Sequence, residues 1–201
     1  RRLPRVSEIS DSKPMQSAPS SERVHIAIFG RCNAGKSTLV NRLTGQDVAI
    51  VSPVAGTTTD PVQKAIEING LGAAILIDTP GLDDNTLLGA ERVARSAKVL
   101  DKTDIAIILF TEAGGENELR LMEECRIREI PTLIALAHID RLENHEAIKE
   151  ELARVTNRDV VAISALTGEG IEELTKAIVA IRHAEERLIT EGFCEAGDIV
   201  L

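Results

Sequence analysis

Four runs of the chain are almost continuously apolar: AAILID at 73–78, DIAIILF at 104–110, PTLIALA at 131–137 and DVVAIS at 159–164. A strand with one face in water would alternate polar and apolar residues, so both faces of the sheet made by these runs must be covered. Segments of helical length lie between them: KSTLVNRLTG at 36–45, GAERVARSAKVL at 89–100, NELRLMEECRIRE at 117–129 and ENHEAIKEELARV at 143–155. A further one follows the last strand, with Ile171, Leu174, Ile178 and Ile181 on one face at helical spacing. Such alternation predicts a mostly parallel sheet with helices on both sides. RVHIAIF at 23–29 adds a short apolar strand at the start, and VQKAIEI at 62–68 alternates like a half-exposed strand. Paired with 73–78 in a hairpin, it forms one antiparallel edge strand.

The core has few large side chains to draw on. Phe29, Phe110 and Phe193 are the only aromatics, so Val, Ile, Leu and Ala must fill the interior. So few aromatics disfavour a stacking platform for single-stranded nucleic acid. A net charge of −9 weighs against a broad nucleic-acid footprint. Cys32, Cys125 and Cys194 are odd in number and far apart, with no zinc-spaced or iron–sulfur set, as for free thiols in a cytoplasmic protein. No run approaches the ~20 apolar residues that span a bilayer, and no secretory signal is visible.

Three regions follow from composition. Residues 1–22 are rich in Ser, Pro and charge and are expected to be a disordered tail, with Met15 a candidate start. Residues 23–190 form the single α/β domain. Residues 191–201 read as a linker and the start of a further domain, since GFCEAGDIVL ends in a strand-like run.

GRCNAGKS at 30–37 sits between the first strand and the first helix, which is the context a phosphate-binding loop requires. Gly30 and Gly35 let the backbone wrap around phosphate oxygens. The amides from Asn33 through Ala34, Gly35, Lys36 and Ser37 to Thr38 form an anion nest at a helix N-terminus. Lys36 puts a cation on the terminal phosphates, and the Ser37 hydroxyl is placed to ligate magnesium. DTPG at 78–81 follows a strand about 40 residues on. Asp78 is placed to hold the magnesium shell through water, and the Gly81 amide to contact a γ-phosphate and sense its loss.

The order of GRCNAGKS, GTTTD at 56–60, DTPG, ALAHID at 135–140 and SAL at 164–166 resembles the translation-factor class of small GTPases. The nearest branch is that of tRNA-modification and ribosome-assembly GTPases. This resemblance implies a three-layer, doubly wound P-loop NTPase fold with a six-stranded, mostly parallel sheet and one antiparallel edge strand. It implies GTP hydrolysis with Mg2+, with Lys36, Thr58 and Gly81 as the catalytic set and Thr58 joining Ser37 on the metal. Asn33 stands where potassium-activated members ligate K+, and Leu82 where Ras-like proteins carry a catalytic glutamine. Relatives often carry an acid near position 87, where this chain has Leu87, although Asp83 and Asp84 remain. Slow hydrolysis is the expectation.

The longer stretches TGQDVAIVSPVAGTTTDPV at 44–62 and IDTPGLDD at 77–84 are similar to the HydF family of FeFe-hydrogenase maturation GTPases. GDIVL at 197–201 resembles the start of that family's dimerisation domain. The likeness implies two radical maturation enzymes and the hydrogenase as partners, with a homodimer formed through downstream sequence. No iron–sulfur ligands of that family lie in this chain.

ALAHID departs from the Asn-Lys-x-Asp that the class carries. Asp140 keeps the guanine-reading carboxylate, worth about 1–3 kcal/mol of base discrimination by analogy with base-edge contacts. Ala137 lacks the amide that helps hold the phosphate loop, a loss of roughly 0.5–1.5 kcal/mol. His138 reads first as a solvent-facing loop histidine, with stacking over the purine as its functional alternative. Ser164, Ala165 and Leu166 support guanine through backbone amides in the class. Weaker GTP binding follows. Two other readings stand beside the GTPase: a nucleotide-occupied interaction module with incidental turnover, and a GTPase acting on tRNA or ribosomes. Cys32 reads as a small exposed side chain, and Met122 and Cys125 as helix core.

Overall fold

The computed structural model describes residues 23–45, 52–53, 62–82, 97–113 and 115–196, without the side chains of 52–53 and 185–196. The strands are β1 (Val24–Gly30), β2 (Ser52–Pro53), β3 (Val62–Ile68), β4 (Gly72–Asp78), β5 (Ile105–Phe110), β6 (Thr132–Leu136) and β7 (Val160–Ala162). The helices are α1 (Lys36–Thr44), α2 (described at 97–100), α3 (Glu116–Ile127), α4 (His145–Thr156) and α5 (Ile171–Ala196). The strands form one sheet in the order β2-β3-β4-β1-β5-β6-β7. β1 runs parallel to β4 and β5, and β6 and β7 continue the parallel half. β3 is antiparallel to β4.

The continuous apolar runs are explained by what covers them. On β1, Ile26 and Ile28 pack into one core with Leu39, Val40 and Leu43 of α1 and Ile171, Leu174 and Ile178 of α5. The alternate residues Ala27 and Phe29 enter a second core with Leu100 of α2, Leu121 and Cys125 of α3 and Leu152 of α4. β5 divides in the same way, so Phe29 and Phe110 both fill the second core. All six residues of β5 are buried. Two layers of helix around one sheet is the doubly wound arrangement that the sequence predicts.

Two differences stand out. A two-residue strand, β2, pairs antiparallel with β3, so the sheet has a seventh, outermost strand beyond the six expected. Two residues are too few for any periodicity to register. The last helix continues through Ala196, past the boundary at 190, so residues 191–196 are helical. The tail 1–22, the helix segment 89–96 and the strand-like 197–201 lie outside the described residues. Among the described residues no helix is long and apolar enough to cross a membrane.

β1 occupies the centre, with its sequence neighbours distributed to both sides. The crevice at the carboxyl ends of β1, β4 and β5 is therefore a topological switch point, the place where such sheets bind ligands. The turn that feeds α5 is tightly built: Gly170 has φ 73° and a Cβ there would overlap the Ala162 carbonyl oxygen. Gly72 has φ 86° with nothing within 4 Å of a Cβ. Replacing Gly72 by Ala is expected to cost only left-handed backbone strain, about 1–2 kcal/mol. Gly170→Ala adds backbone overlap and is expected to lose roughly twice that or more. Urea unfolding of both variants checks this, and equal losses would contradict the crowding at Gly170.

Candidate functional site

The phosphate loop leaves the end of β1 through three residues with positive φ. Gly30 has φ 156°, and a Cβ on it would lie 3.0 Å from Leu109 O and 3.1 Å from Ala34 Cβ. Asn33 (φ 62°) and Gly35 (φ 89°) then turn the chain in the left-handed region into α1. Gly35 is the N-cap and brings no side chain to it, and the first turn of α1 carries no acid. The positive end of the helix is thus left for an external anion. Lys36 is buried, and its Nζ donates to Gly30 O at 3.0 Å and Arg31 O at 2.7 Å. The expected cation is in place, folded across the loop it serves.

The magnesium-side residues are also brought together. Ser37 Oγ donates to Asp78 Oδ2 at 2.6 Å, joining the start of α1 to the end of β4. A hydroxyl and a carboxylate oxygen side by side are the hard donors that Mg2+ prefers. Thr79 is buried and donates to Ile28 O at 2.7 Å, and Leu82 N donates to Gly30 O at 3.1 Å. DTPG is therefore pinned to β1 at both ends. Gly81 lies on Cys32, so closely that a Cβ would overlap Sγ and sit 2.8 Å from the Cys32 nitrogen. Cys32 is exposed, as its sequence position suggested, but it also forms the surface that only glycine can approach. Thr58, Asp83, Asp84 and Leu87 lie outside the described residues. Among the described residues no group of three or more His, Cys, Asp or Glu side chains is arranged to hold a metal ion.

The base-side residues come from β6 and the loop after β7. Ala137 is buried and its amide donates to Phe110 O at 2.8 Å. Asp140 follows in a 3-10 turn anchored by buried Ile139. Ser164, fully buried, donates from Oγ to Asp140 Oδ1 at 2.6 Å and accepts from Thr167 N at 3.1 Å. The Ser164 hydroxyl, first among several influences, holds the Asp140 carboxyl below the usual carboxylate range. An ionised carboxylate here can accept from two N–H donors.

His138 is half-exposed and lies beside the phosphate loop. It adopts the left-handed conformation (φ 61°, ψ 32°), and its Nε2 lies 2.9 Å from Asn33 O. Its Cε1 would be 3.2 Å from a Cβ on Gly35. One ring nitrogen therefore rests against the phosphate loop. Where Ala137 cannot tie the two loops together, His138 does.

Sequence reasoning missed two arginines. Arg42 of α1 donates from Nε to Ala165 O at 2.9 Å and from Nη2 to Leu166 O, clamping the SAL loop. Arg31, inside the phosphate loop, pairs with Glu112 and, at 3.2 Å, with the buried Glu118 of α3. Partners 81 to 124 residues away leave no local pattern to read.

The chain matches the model of the 50S ribosome-binding GTPase family over residues 25–163. It is 36% identical over 159 residues to the tRNA modification GTPase MnmE of Thermotoga petrophila, covering 76% of this chain and 34% of that protein. MnmE of Legionella pneumophila (strain Corby) is 34% identical over 178 residues, 87% of this chain and 38% of the relative. The chain thus spans about a third of the length of these curated relatives. Among solved structures, Aquifex aeolicus Era bound to GDP and AlF4− superimposes with a TM-score of 0.61 at 28% identity, covering 78% of this chain and 56% of that one. The G domain of the T. maritima FeoB iron transporter gives 0.55 at 31% identity, covering 79% and 98%. A phosphate loop and a hydroxyl–carboxylate pair stand at the switch point of the sheet, and the chain belongs to the 50S ribosome-binding GTPase family as a P-loop GTP-binding domain.

Proposed function

We propose that this domain is a slow, magnesium-dependent GTP switch whose GTP and GDP states control the activity of a larger protein. One observation carries the reading: Lys36, the Ser37–Asp78 pair and the Asp140–Ser164 pair all stand at the same end of one sheet. Ser37 and Asp78, with Thr58, would hold magnesium, which neutralises charge on the β- and γ-phosphates when bound. Lys36 exchanges its two carbonyl partners for phosphate oxygens, and the α1 amides donate to the same group. Water attacks the γ-phosphorus in line, the bond to the β-phosphate oxygen breaks, and GDP and phosphate leave. The Gly81 amide faces the departing γ-phosphate. Leu82 is buried and offers no group to orient the water, which keeps turnover slow. Asn33 is exposed on the loop with its backbone held by His138, and potassium at its side chain would add positive charge beside the phosphates.

For the larger protein we propose hydrogenase metallocluster maturation in the cytoplasm, in the manner of HydF. The support is the wording of 44–62 and 77–84, including Asp60-Pro61 after the threonines. Its partners would be the radical maturation enzymes and the FeFe-hydrogenase. The MnmE likeness at 36% identity favours a second reading, a GTPase of tRNA modification. The full-length protein separates the two: an iron–sulfur absorption spectrum and capture of radical enzymes support the first, and tRNA binding the second. A third reading, an interaction module with incidental turnover, predicts that Thr58→Ala still functions.

Phosphate release from GTP is expected to rise severalfold in K+ over Na+ and to exceed release from ATP in both. Equal and negligible rates, or no preference for GTP, would overturn the switch. Ser164→Ala removes the hydroxyl that holds Asp140 and is expected to weaken GDP binding about tenfold. Calorimetric titration with GDP checks this, and an unchanged affinity would show that Asp140 needs no support from Ser164.

A further inference from the structure

We propose that Arg42 is the positioning residue for guanine selectivity, aiming backbone amides of the SAL loop from the far end of the helix that holds the phosphates. The inference rests on the guanine-nucleotide reading above. Arg42 lies in the last turn of α1, half-buried, and its planar fork engages two successive carbonyls, Ala165 O and Leu166 O. A guanidinium fork is pre-organised for such a pair of acceptors, which an ammonium cannot match.

The effect on the opposite side follows from peptide geometry. All described peptides are trans, so each N–H points away from the carbonyl of its own peptide plane. Holding Ala165 O toward α1 directs Leu166 N–H away from α1. Holding Leu166 O likewise directs Thr167 N–H away, and that amide donates to Ser164 Oγ at 3.1 Å. Ser164 Oγ in turn donates to Asp140 Oδ1 at 2.6 Å. Arg42 thus stands behind a hydrogen-bonded chain that ends on the guanine-reading carboxylate. A cation on the carbonyl side also polarises both peptides and makes their N–H groups stronger donors. Outward N–H donors suit the carbonyl oxygen at position 6 of guanine and oppose the amino group that adenine carries there.

The test compares GDP, IDP and ADP on the 201-residue chain, with Arg42→Ala and Arg42→Lys against the parent. IDP keeps the base oxygen and the ring N–H but lacks the 2-amino group, so it removes one of the two donors that Asp140 reads and leaves the amide route whole. Arg42→Ala is expected to weaken GDP and IDP by the same factor, about threefold to tenfold, with ADP unchanged. Arg42→Lys, with a single ammonium nitrogen and no planar fork, is expected to recover part of that loss. Equal weakening of all three nucleotides would reduce Arg42 to a structural brace and overturn the proposal. Loss of GDP with IDP unchanged would overturn it in favour of an effect through Asp140 alone. No change in any affinity would overturn it outright. A parent chain that binds GDP and ADP equally would instead remove the guanine reading itself. Should Arg42→Ala fail to fold, Arg42→Lys still carries the comparison through the ratio of GDP to ADP affinity.

Discussion

The carbonyl oxygen of Gly30 receives hydrogen bonds from both Lys36 Nζ and Leu82 N. One acceptor at the end of the central strand thus joins the Lys36 cation to the DTPG loop. The geometry is possible because Gly30 has no side chain in a space bounded by Leu109 and Ala34. It is stable because β1 is buried on both faces and cannot shift. When Lys36 turns to a phosphate, the carbonyl keeps the Leu82 amide as a partner, so it is not left buried and unsatisfied. The cation can leave without a large desolvation cost.

The base side shows how a site absorbs a departure from its family's pattern. Ala137 removes an amide that would hold the phosphate loop, and its backbone is instead spent on Phe110 O. The tether reappears one residue later, where His138 reaches Asn33 O from a left-handed backbone position. That conformation is uncommon for a residue with a side chain, and it persists because the ring is engaged. Asp140 keeps its role because its support comes from Ser164 rather than from the altered residues.

Much of the fold was legible, for a definite reason. Apolar runs too short for helices and flanked by helix-length segments read as strands covered on both faces, and the alternation of Ile26, Ala27, Ile28 and Phe29 between two cores shows that cover. Lys36, Ser37 and Asp78 were legible because their spacing to glycines and strand ends is itself the chemistry. What escaped were contacts that the chain makes with itself over long separations. Arg42 meets the SAL loop 123 residues away, and Arg31 meets Glu112 across 81. The contact of His138 with Asn33 O also escaped, because a left-handed backbone conformation is invisible in composition. β2 was missed because two residues carry no pattern.

Helix α1 has a consequence of its own. Its first residue, Lys36, belongs to the phosphate end and Arg42 to the base end, with six residues of rise between them, or about 9 Å along the axis. Both ends of a nucleotide are therefore gauged by one rigid rod. A residue inserted into the rod would move Arg42 by about 1.5 Å and rotate it by about 100°. The two halves of the site would then be fitted to molecules of different length. The helix acts as a caliper, and its register, no less than its chemistry, defines what can be grasped.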